Sequence, residues 1–274
     1  MPTGALLLAL GAAAVHAAWN LLLARAPDTR TAGAMQLVVS VVVWAPVALL
    51  AWRVEAEAIP YLAASAVLEL GYFALLAAAY AEGELSLVYP LARGGAPLLV
   101  GCAAVAGLGG SVGLVQVLGI VAIGAGVVTV RGLRGPWRGR DTLLALATAA
   151  CIAGYTVVDH YGVRHADPLT YLWLVLLPVA IAYAGAMLRT RGAAELRAAL
   201  TPATVLTGVG AYGSYVMALA ALRLTSAAPV AAVRETSIVI AVALATVVLG
   251  ERVGRARMLG AAIVVAGTVL VAVG

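Results

Sequence analysis

Two arginines lie deep inside long apolar segments, where a charged side chain is costly. Arg93 and Arg234 each follow the start of their segment by about eight residues. In a helix that distance is roughly 12 Å, close to the middle of a hydrocarbon core of about 30 Å. A guanidinium binds a carboxylate or a phosphate through two parallel hydrogen bonds. The pair therefore predicts an anion-binding site in a central cavity. The alternative is structural, with Glu69 neutralising the first arginine and Asp159 or another buried acid the second.

Four titratable side chains in the apolar segments are candidates for carrying a coupling proton. They are Glu69, His16, Asp159 and Glu235. Glu69 is the deepest acid, and a histidine titrates near pH 6.5 when unperturbed. The alternatives are a salt bridge for Glu69 and a hydrogen-bonded structural role for His16.

Aromatic and amide side chains accompany these charges and complete a predicted substrate site. Asn20 lies one turn after His16 on the same helix face, with Trp19 at its flank. Tyr212 and Tyr215 likewise share a face. We expect these side chains and Tyr89 to contact substrate together with the two arginines, and packing alone is the alternative for the tyrosines.

The segment around Arg93 is punctuated by residues that weaken a helix. Tyr89-Pro90 precedes the arginine, and Gly94-Gly95 and Ala96-Pro97 follow it. Prolines remove backbone hydrogen bonds, and the freed carbonyl and amide groups can line a cavity. A kink that serves packing alone is the alternative.

No pattern of catalytic, cofactor-binding or metal-ligating residues stands out. Cys102 and Cys151 lie far apart in apolar segments, which predicts buried, unpaired thiols and neither a disulfide nor a zinc site. There is no glycine-rich phosphate loop, no acidic pair spaced for metal-dependent chemistry and no Ser/His/Asp set. We therefore expect a protein that is not an enzyme and that uses no cofactor or metal.

The composition requires a bilayer. Of the 274 residues, 64% are apolar and only 11% are charged, against about 25% charged in a soluble domain. This excludes a soluble enzyme, a nucleic-acid-binding domain and a disordered chain. We interpret the N-terminal segment as a first span, not a cleaved leader. The predicted fold is an all-α polytopic membrane protein with ten spans, at 3–23, 33–52, 60–80, 85–107, 112–130, 142–160, 169–188, 201–222, 226–249 and 256–273.

The chain repeats itself. We predict a first five-helix repeat over 1–130, an arginine-rich linker over 131–141 and a second five-helix repeat over 142–274. A shift of 141 residues superposes Arg93 on Arg234, Leu118-Gly119 on Leu259-Gly260 and Ala125-Gly126 on Ala266-Gly267. A shift of 139 pairs Asn20 with Asp159 and Asp28 with Asp167. With an odd number of spans, the second copy enters the membrane from the opposite side. Inverted repeats around a midplane site are typical of secondary transporters.

Arginines are distributed unequally between the two predicted membrane faces. Twelve of them border the face where the even-numbered spans begin, which we call the arginine-rich side. They are Arg25, Arg30, Arg131, Arg134, Arg138, Arg140, Arg189, Arg191, Arg197, Arg252, Arg255 and Arg257. The other face has Arg53, Arg164 and Arg223. Because cytoplasmic loops are enriched in basic residues, this bias predicts a cytoplasmic arginine-rich side and external termini.

Several segments resemble the EamA-like family of the drug/metabolite transporter superfamily. They are HAAWNLLLAR at 16–25, LSLVYPLARGGAPLLV at 85–100, AGYTVVDHYGVR at 153–164 and PVAAVRETSIVIAVALATVVLGE at 229–251. The resemblance covers the whole chain and implies a ten-helix secondary transporter, with several relatives exporting amino acids or related metabolites. The chain departs from the family pattern at Leu108-Gly109-Gly110, where an acid like Glu251 is usual. The resemblance also implies cytoplasmic termini, against the arginine bias.

Together these observations predict a permease that moves a small polar metabolite by alternating access across a bacterial-type cytoplasmic membrane. The substrate is an amino acid or another carboxylate-bearing compound, and the resemblance favours efflux. The expected partners are this substrate, protons and the lipid bilayer, with no nucleic acid and a homodimer left open. The alternatives are a flippase for lipid-linked sugars and, less favoured, a membrane enzyme that acts on lipid-linked substrates.

Overall fold

The computed structural model describes residues 1–82, 85–108, 110, 112–131, 139–249 and 254–274. Regular structure in these ranges is helical, apart from one isolated β-bridge. The helices are α1 (Thr3–Leu23), α2 (Thr29–Leu50), a 3₁₀ turn (Ala56–Ala58), α3 (Ile59–Glu82), α4 (Leu85–Val105), α5 (Leu114–Arg131), α6 (Gly139–Gly162), α7 (Pro168–Arg191), α8 (Ala193–Ala198), α9 (Pro202–Leu224), α10 (Ala227–Arg234), α11 (Thr236–Leu249) and α12 (Arg255–Val273).

These helices form a multi-pass membrane protein. In the described ranges, six helices are long and apolar enough to cross a bilayer, and α4, α5 and α12 contain shorter apolar stretches. The outer surface exposes large aliphatic side chains such as Leu50, Val67 and Leu114. Such a surface is stable against lipid but not against water. The predicted all-α membrane class is therefore confirmed.

Each predicted span coincides with a helix except the ninth, which the structure divides. Residues 226–249 form α10 and α11, separated by a turn at Glu235. The amide of Glu235 donates to Ala232 and that of Ile238 to Glu235, so bonds of three-residue spacing replace the α-helical ladder here. The Thr236 hydroxyl donates to the carbonyl of Val233 (2.7 Å), and such side-chain bonds compete with regular helix. The break therefore lies directly after Arg234.

The helix around Arg93, by contrast, is continuous. α4 runs from Leu85 to Val105 through both of its internal prolines. Each proline removes one backbone donor, but the remaining bonds keep the helix intact. The helix predicted to be weakened at Arg93 therefore contains no break. The interrupted helix lies in the second half of the chain, directly after Arg234.

Asp28 and Asp167 each cap the start of a helix. Asp28 accepts the amide of Arg30 (3.0 Å) at the start of α2, and Asp167 accepts that of Leu169 (2.9 Å) at the start of α7. Both are N-cap bonds, which satisfy amides that lack a partner within the helix. A hydrogen bond from Thr31 lowers the pKa of Asp28 below its usual value. Because Asp28 caps its first turn, α2 begins at Thr29, four residues earlier than the span predicted at 33.

The core is built from small side chains at helical spacing. α1 buries Ala5, Ala9, Ala12, Ala13 and Ala17 on one stripe, so that α9 can approach closely. The Ser214 hydroxyl of α9 donates to the carbonyl of Ala12 (2.9 Å). Further pairs are α3 with α6, α4 with α6, α2 with α7, α2 with α9, α3 with α7, α5 with α12, and α1 with α10 and α11.

One of the two cysteines departs from its predicted burial. Cys102 is exposed on the surface of α4, whereas Cys151 is partly buried, and both are free thiols. The expectation for Cys102 was wrong because an apolar segment in a bilayer directs one face to lipid.

Helices α5 and α12 cross with their backbones almost in contact at four glycines. A Cβ atom on Gly119 would lie 2.7 Å from the carbonyl oxygen of Gly267, and one on Gly126 would lie 2.8 Å from that of Gly260. These are backbone atoms, so a side chain could fit only if the helices separated. The crossing therefore depends on glycine.

We expect Gly119→Ala to destabilise the protein although alanine is the better helix former. Overpacking of this kind costs about 1–3 kcal/mol, which corresponds to a decrease in Tm of roughly 5 °C. Gly185→Ala in α7 is the matched control, because no atom beyond its own stretch of helix lies within 4 Å of its added Cβ. Thermal unfolding in detergent measures both, and equal Tm values for the two variants would contradict this packing.

Two loops, one from each half of the chain, pair at the membrane face opposite the arginine-rich side. Val54 and Ala166 form an antiparallel bridge. The amide of Glu55 donates to His165 (2.8 Å), and that of Asp167 donates to Arg53 (2.8 Å). A hydrogen bond between the Glu55 carboxylate and the His165 imidazole (3.0 Å) adds to the bridge. These contacts hold α2, α3, α6 and α7 together at this face.

Candidate functional site

A cavity of about 180 Å³ lies between helices of both halves. Its walls come from α1, α2 and α3 on one side and from α6, α7, α9 and α10 on the other. Seven residues predicted from the sequence line it: His16, Trp19, Asn20, Glu69, Tyr212, Tyr215 and Arg234. The side chains of Arg93 and Tyr89 fall outside the described part of the structure. Asp159 and Glu235 are buried beside the cavity and do not line it.

Arg234 and two carboxylates form the charged centre of the site. Glu69 is 7% exposed and Asp159 is fully buried. The charge of Arg234 acts on both acids. Its guanidinium carbon lies 5.0 Å from the centre of the Tyr215 ring, within the range of a cation–π contact. The structure thus brings the arginine to buried acids and also to the cavity wall, so the structural and substrate-binding interpretations both remain.

Asp159 links three helices. It accepts hydrogen bonds from the hydroxyls of Tyr171 in α7 (2.9 Å) and Tyr215 in α9 (2.5 Å). Both donors hold the carboxylate in place behind the cavity lining. Its proposed part in proton coupling stays a prediction, and its observed contacts are those of a structural link.

Aromatic rings continue from Arg234 across the cavity. Tyr215 contacts Tyr155 (6.0 Å between ring centres), and Tyr155 contacts Tyr72 (6.3 Å). Tyr72 and Phe73 follow Glu69 by about one turn, so they share its face of α3. Phe73 in turn contacts Tyr183 of α7 (5.7 Å). The charged centre is therefore enclosed by rings whose faces favour cations.

Tyr212 lines the cavity with a hydroxyl that is already engaged. The hydroxyl donates to the carbonyl of Leu169 (2.5 Å), and the ring stacks on Trp44 at 5.0 Å. Tyr212 can therefore offer substrate a ring surface, while its hydroxyl fixes α9 against α7.

The predicted cluster on α1 also faces the cavity. The side-chain amide of Asn20 donates to the carbonyl of His16 (2.9 Å), and the rings of His16 and Trp19 meet edge to face at 4.8 Å. Their position toward the end of α1 places them between the charged centre and the arginine-rich side.

The polar face of α2 was missed from the sequence. Thr29, Arg30, Gly33, Gln36 and Ser40 all line the cavity. Their positions recur at intervals of three and four residues, which places them on one helix face. The sequence shows this spacing of polar residues, but the predicted span begins at 33. Arg30 is therefore assigned to a loop and used only to predict the orientation in the membrane.

The lining provides charges of both signs, aromatic faces and amide groups within one small space. It suits recognition of a small polar solute and has no nucleophile–base pair among the described residues. Away from the cavity, Glu55, Glu57 and His165 bring one ligand atom each within 4.8 Å of one another. Both carboxylates are exposed, and the contact observed is the Glu55–His165 hydrogen bond.

Comparison with known proteins agrees with this architecture. A crystal structure with 16% sequence identity superposes with a TM-score of 0.78, covering 100% of this chain and 98% of the other. That likeness shows the fold. No curated protein matches the chain. The family model of the EamA-like transporter family matches residues 141–273, which begin one residue before the predicted second repeat. Residues 141–273 thus match the EamA-like transporter family, which belongs to the drug/metabolite transporter superfamily.

Proposed function

We propose that the chain is a secondary active transporter that moves a small polar metabolite by alternating access. The substrate is an amino acid or another carboxylate-bearing compound, and the direction is efflux. The observation that carries the proposal is the central cavity, where Arg234 and Glu69 meet aromatic rings between helices of both halves. Charged residues at such depth are expensive and mark substrate or ion pathways.

The packing supports two inverted repeats, over 1–130 and 142–274. If spans one to five are exchanged with spans six to ten, the pairs α5–α12 and α2–α7 map onto themselves. The pair α1–α9 maps onto α3–α6, and α4–α6 maps onto α1 with α10 and α11. The glycine contacts obey the same exchange, because the Gly119–Gly267 approach becomes Gly126–Gly260. This symmetry lets the halves exchange conformations.

The two ends of the cavity differ in a way that favours alternating access. Thr29 and Arg30, at the start of α2, line the cavity toward the arginine-rich side. At the other face, the Val54–Ala166 bridge and the Glu55–His165 hydrogen bond join the loops. We infer that transport requires these loop contacts to open while the opposite face closes.

A thermal-shift screen of metabolites on the purified protein tests the proposed substrate class. A ligand that binds only the folded protein raises Tm as its occupancy increases. We expect stabilisation by amino acids or related carboxylates. Stabilisation only by lipid-linked sugars would favour a flippase, and product formation in detergent would favour an enzyme.

We further propose location in the cytoplasmic membrane of a bacterium. A C-terminal reporter that is active only in the cytoplasm distinguishes the two orientations. Activity supports the cytoplasmic termini that the family resemblance implies, and inactivity supports the external termini that the arginine bias predicts.

A further inference from the structure

Two buried polar atoms of the cavity lining have no hydrogen-bond partner among the described residues. They are Oε1 of Gln36 in α2 and Nε1 of Trp19 in α1. Gln36 is 6% exposed. Buried polar groups are almost always paired, so each exception requires an explanation. A ligand that supplies the missing partners is one.

Both residues lie at nearly the same depth in the membrane, each against a glycine in the same turn of α9. A Cβ on Gly208 would lie 2.9 Å from the backbone oxygen of Gln36, and one on Gly210 would lie 3.2 Å from the Cβ of Trp19. These glycines follow the start of α9 by six and eight residues, which corresponds to roughly 9–12 Å. Gln36 and Trp19 therefore lie well inside the hydrocarbon core.

The nearest hydroxyl on the polar face of α2 cannot satisfy Gln36. Ser40 follows Gln36 by one turn, and its hydroxyl donates to the carbonyl of Gly208 (2.8 Å). A serine has only one hydrogen to donate, so this bond uses it. The amide oxygen of Gln36 thus remains an acceptor that needs a donor from outside the described residues.

We propose that Gln36 is a specificity-determining residue that reads an N–H donor on the substrate. Its Oε1 accepts from an ammonium or amide nitrogen, while Nε1 of Trp19 donates to an acceptor on the same molecule. The inference rests on the proposed function and deepens it. Among carboxylate-bearing compounds, the cavity selects those that also carry an N–H group. A binding site that forms a hydrogen bond to an N–H group of its ligand discriminates against analogues that lack this group.

The test compares matched ligand pairs on the purified full-length protein. Each pair is an amino acid and its deaminated acid, such as L-leucine with 4-methylpentanoate and L-phenylalanine with 3-phenylpropanoate. Binding is measured by calorimetry for the wild type, Gln36→Met and Gln36→Glu. Gln116→Met is the matched control, because Gln116 lies outside the cavity and accepts the amide of Gly113 (3.1 Å).

We expect the wild type and Gln116→Met to bind the amino acid about tenfold or more tightly than the deaminated acid. Gln36→Met loses this preference, because it weakens binding of the amino acid more than binding of the deaminated acid. Gln36→Glu retains the preference, since a carboxylate accepts the same bond. If the role of Gln36 were purely structural, Gln36→Met would weaken the binding of both ligands of a pair equally.

Equal wild-type affinity within each pair would overturn the inference and leave the proposed function intact. Retention of the preference in Gln36→Met, or its loss in Gln36→Glu, would also overturn it. If the wild type binds neither ligand of any pair, the proposed substrate class fails, and the inference fails with it.

Discussion

Arg234→Ala is expected to abolish substrate binding while the protein still inserts into the membrane. Arg234 ends α10 at the cavity wall, beside the break at Glu235 and above the Tyr215 ring. Hydrogen bonds to a charged group contribute about 1.5–3 kcal/mol each. Loss of a two-bond contact with a carboxylate therefore weakens binding by a factor of roughly 100 or more. Calorimetry with the amino acid that gives the largest thermal shift measures the change.

Removal of the arginine also leaves buried acids without a counter-charge, which destabilises proteins. Arg234→Lys separates the two effects, because lysine keeps the charge and loses the bidentate geometry. We expect this variant to fold and to bind weakly. Arg223→Ala, at the exposed end of α9, is the control. Arg93→Ala is expected to behave like Arg234→Ala if both arginines contact the anion. Unchanged affinity in the two alanine variants would exclude the anion site.

Glu69→Gln is expected to uncouple transport from a proton gradient. Glu69 is a buried carboxylate at the cavity wall, and glutamine preserves its size but cannot exchange a proton. One proton coupled to a gradient of one pH unit drives about tenfold accumulation, since a pH unit corresponds to about 1.4 kcal/mol. The variant should show no accumulation under this gradient and should retain exchange of substrate for substrate. Proteoliposomes with an imposed gradient provide the measurement.

Glu57→Gln is the control for this experiment, because Glu57 lies exposed in the 3₁₀ turn, away from the cavity. His16→Asn tests the second predicted carrier in the same assay. Gradient-driven accumulation that persists in Glu69→Gln would assign the proton elsewhere. A wild type that ignores the pH gradient would contradict proton coupling altogether.

The sequence predicted helix positions well because apolar segments between charges have one stable form in a bilayer. It also identified much of the cavity, since His16, Glu69 and Arg234 are polar groups in apolar surroundings. It failed where local competition decides the backbone. The turn at Glu235 depends on the Thr236 hydroxyl, and the early start of α2 depends on the Asp28 cap.

Other features depend on tertiary packing that spacing along the chain does not reveal. The bonds from Tyr171 and Tyr215 to Asp159 join three helices, and the sequence predicted neither pairing. The polar face of α2 was visible as a period of three to four residues. It was missed because its first turn was assigned to a loop.

The central claim, a carrier that uses this cavity to connect two compartments, is tested most directly by substrate counterflow. Proteoliposomes are loaded with the unlabelled amino acid that gives the largest thermal shift and are diluted into a trace of the labelled form. The proposed mechanism predicts transient accumulation of label by the wild type and none by Arg234→Ala. Absence of accumulation in wild-type vesicles that still bind the amino acid would contradict it.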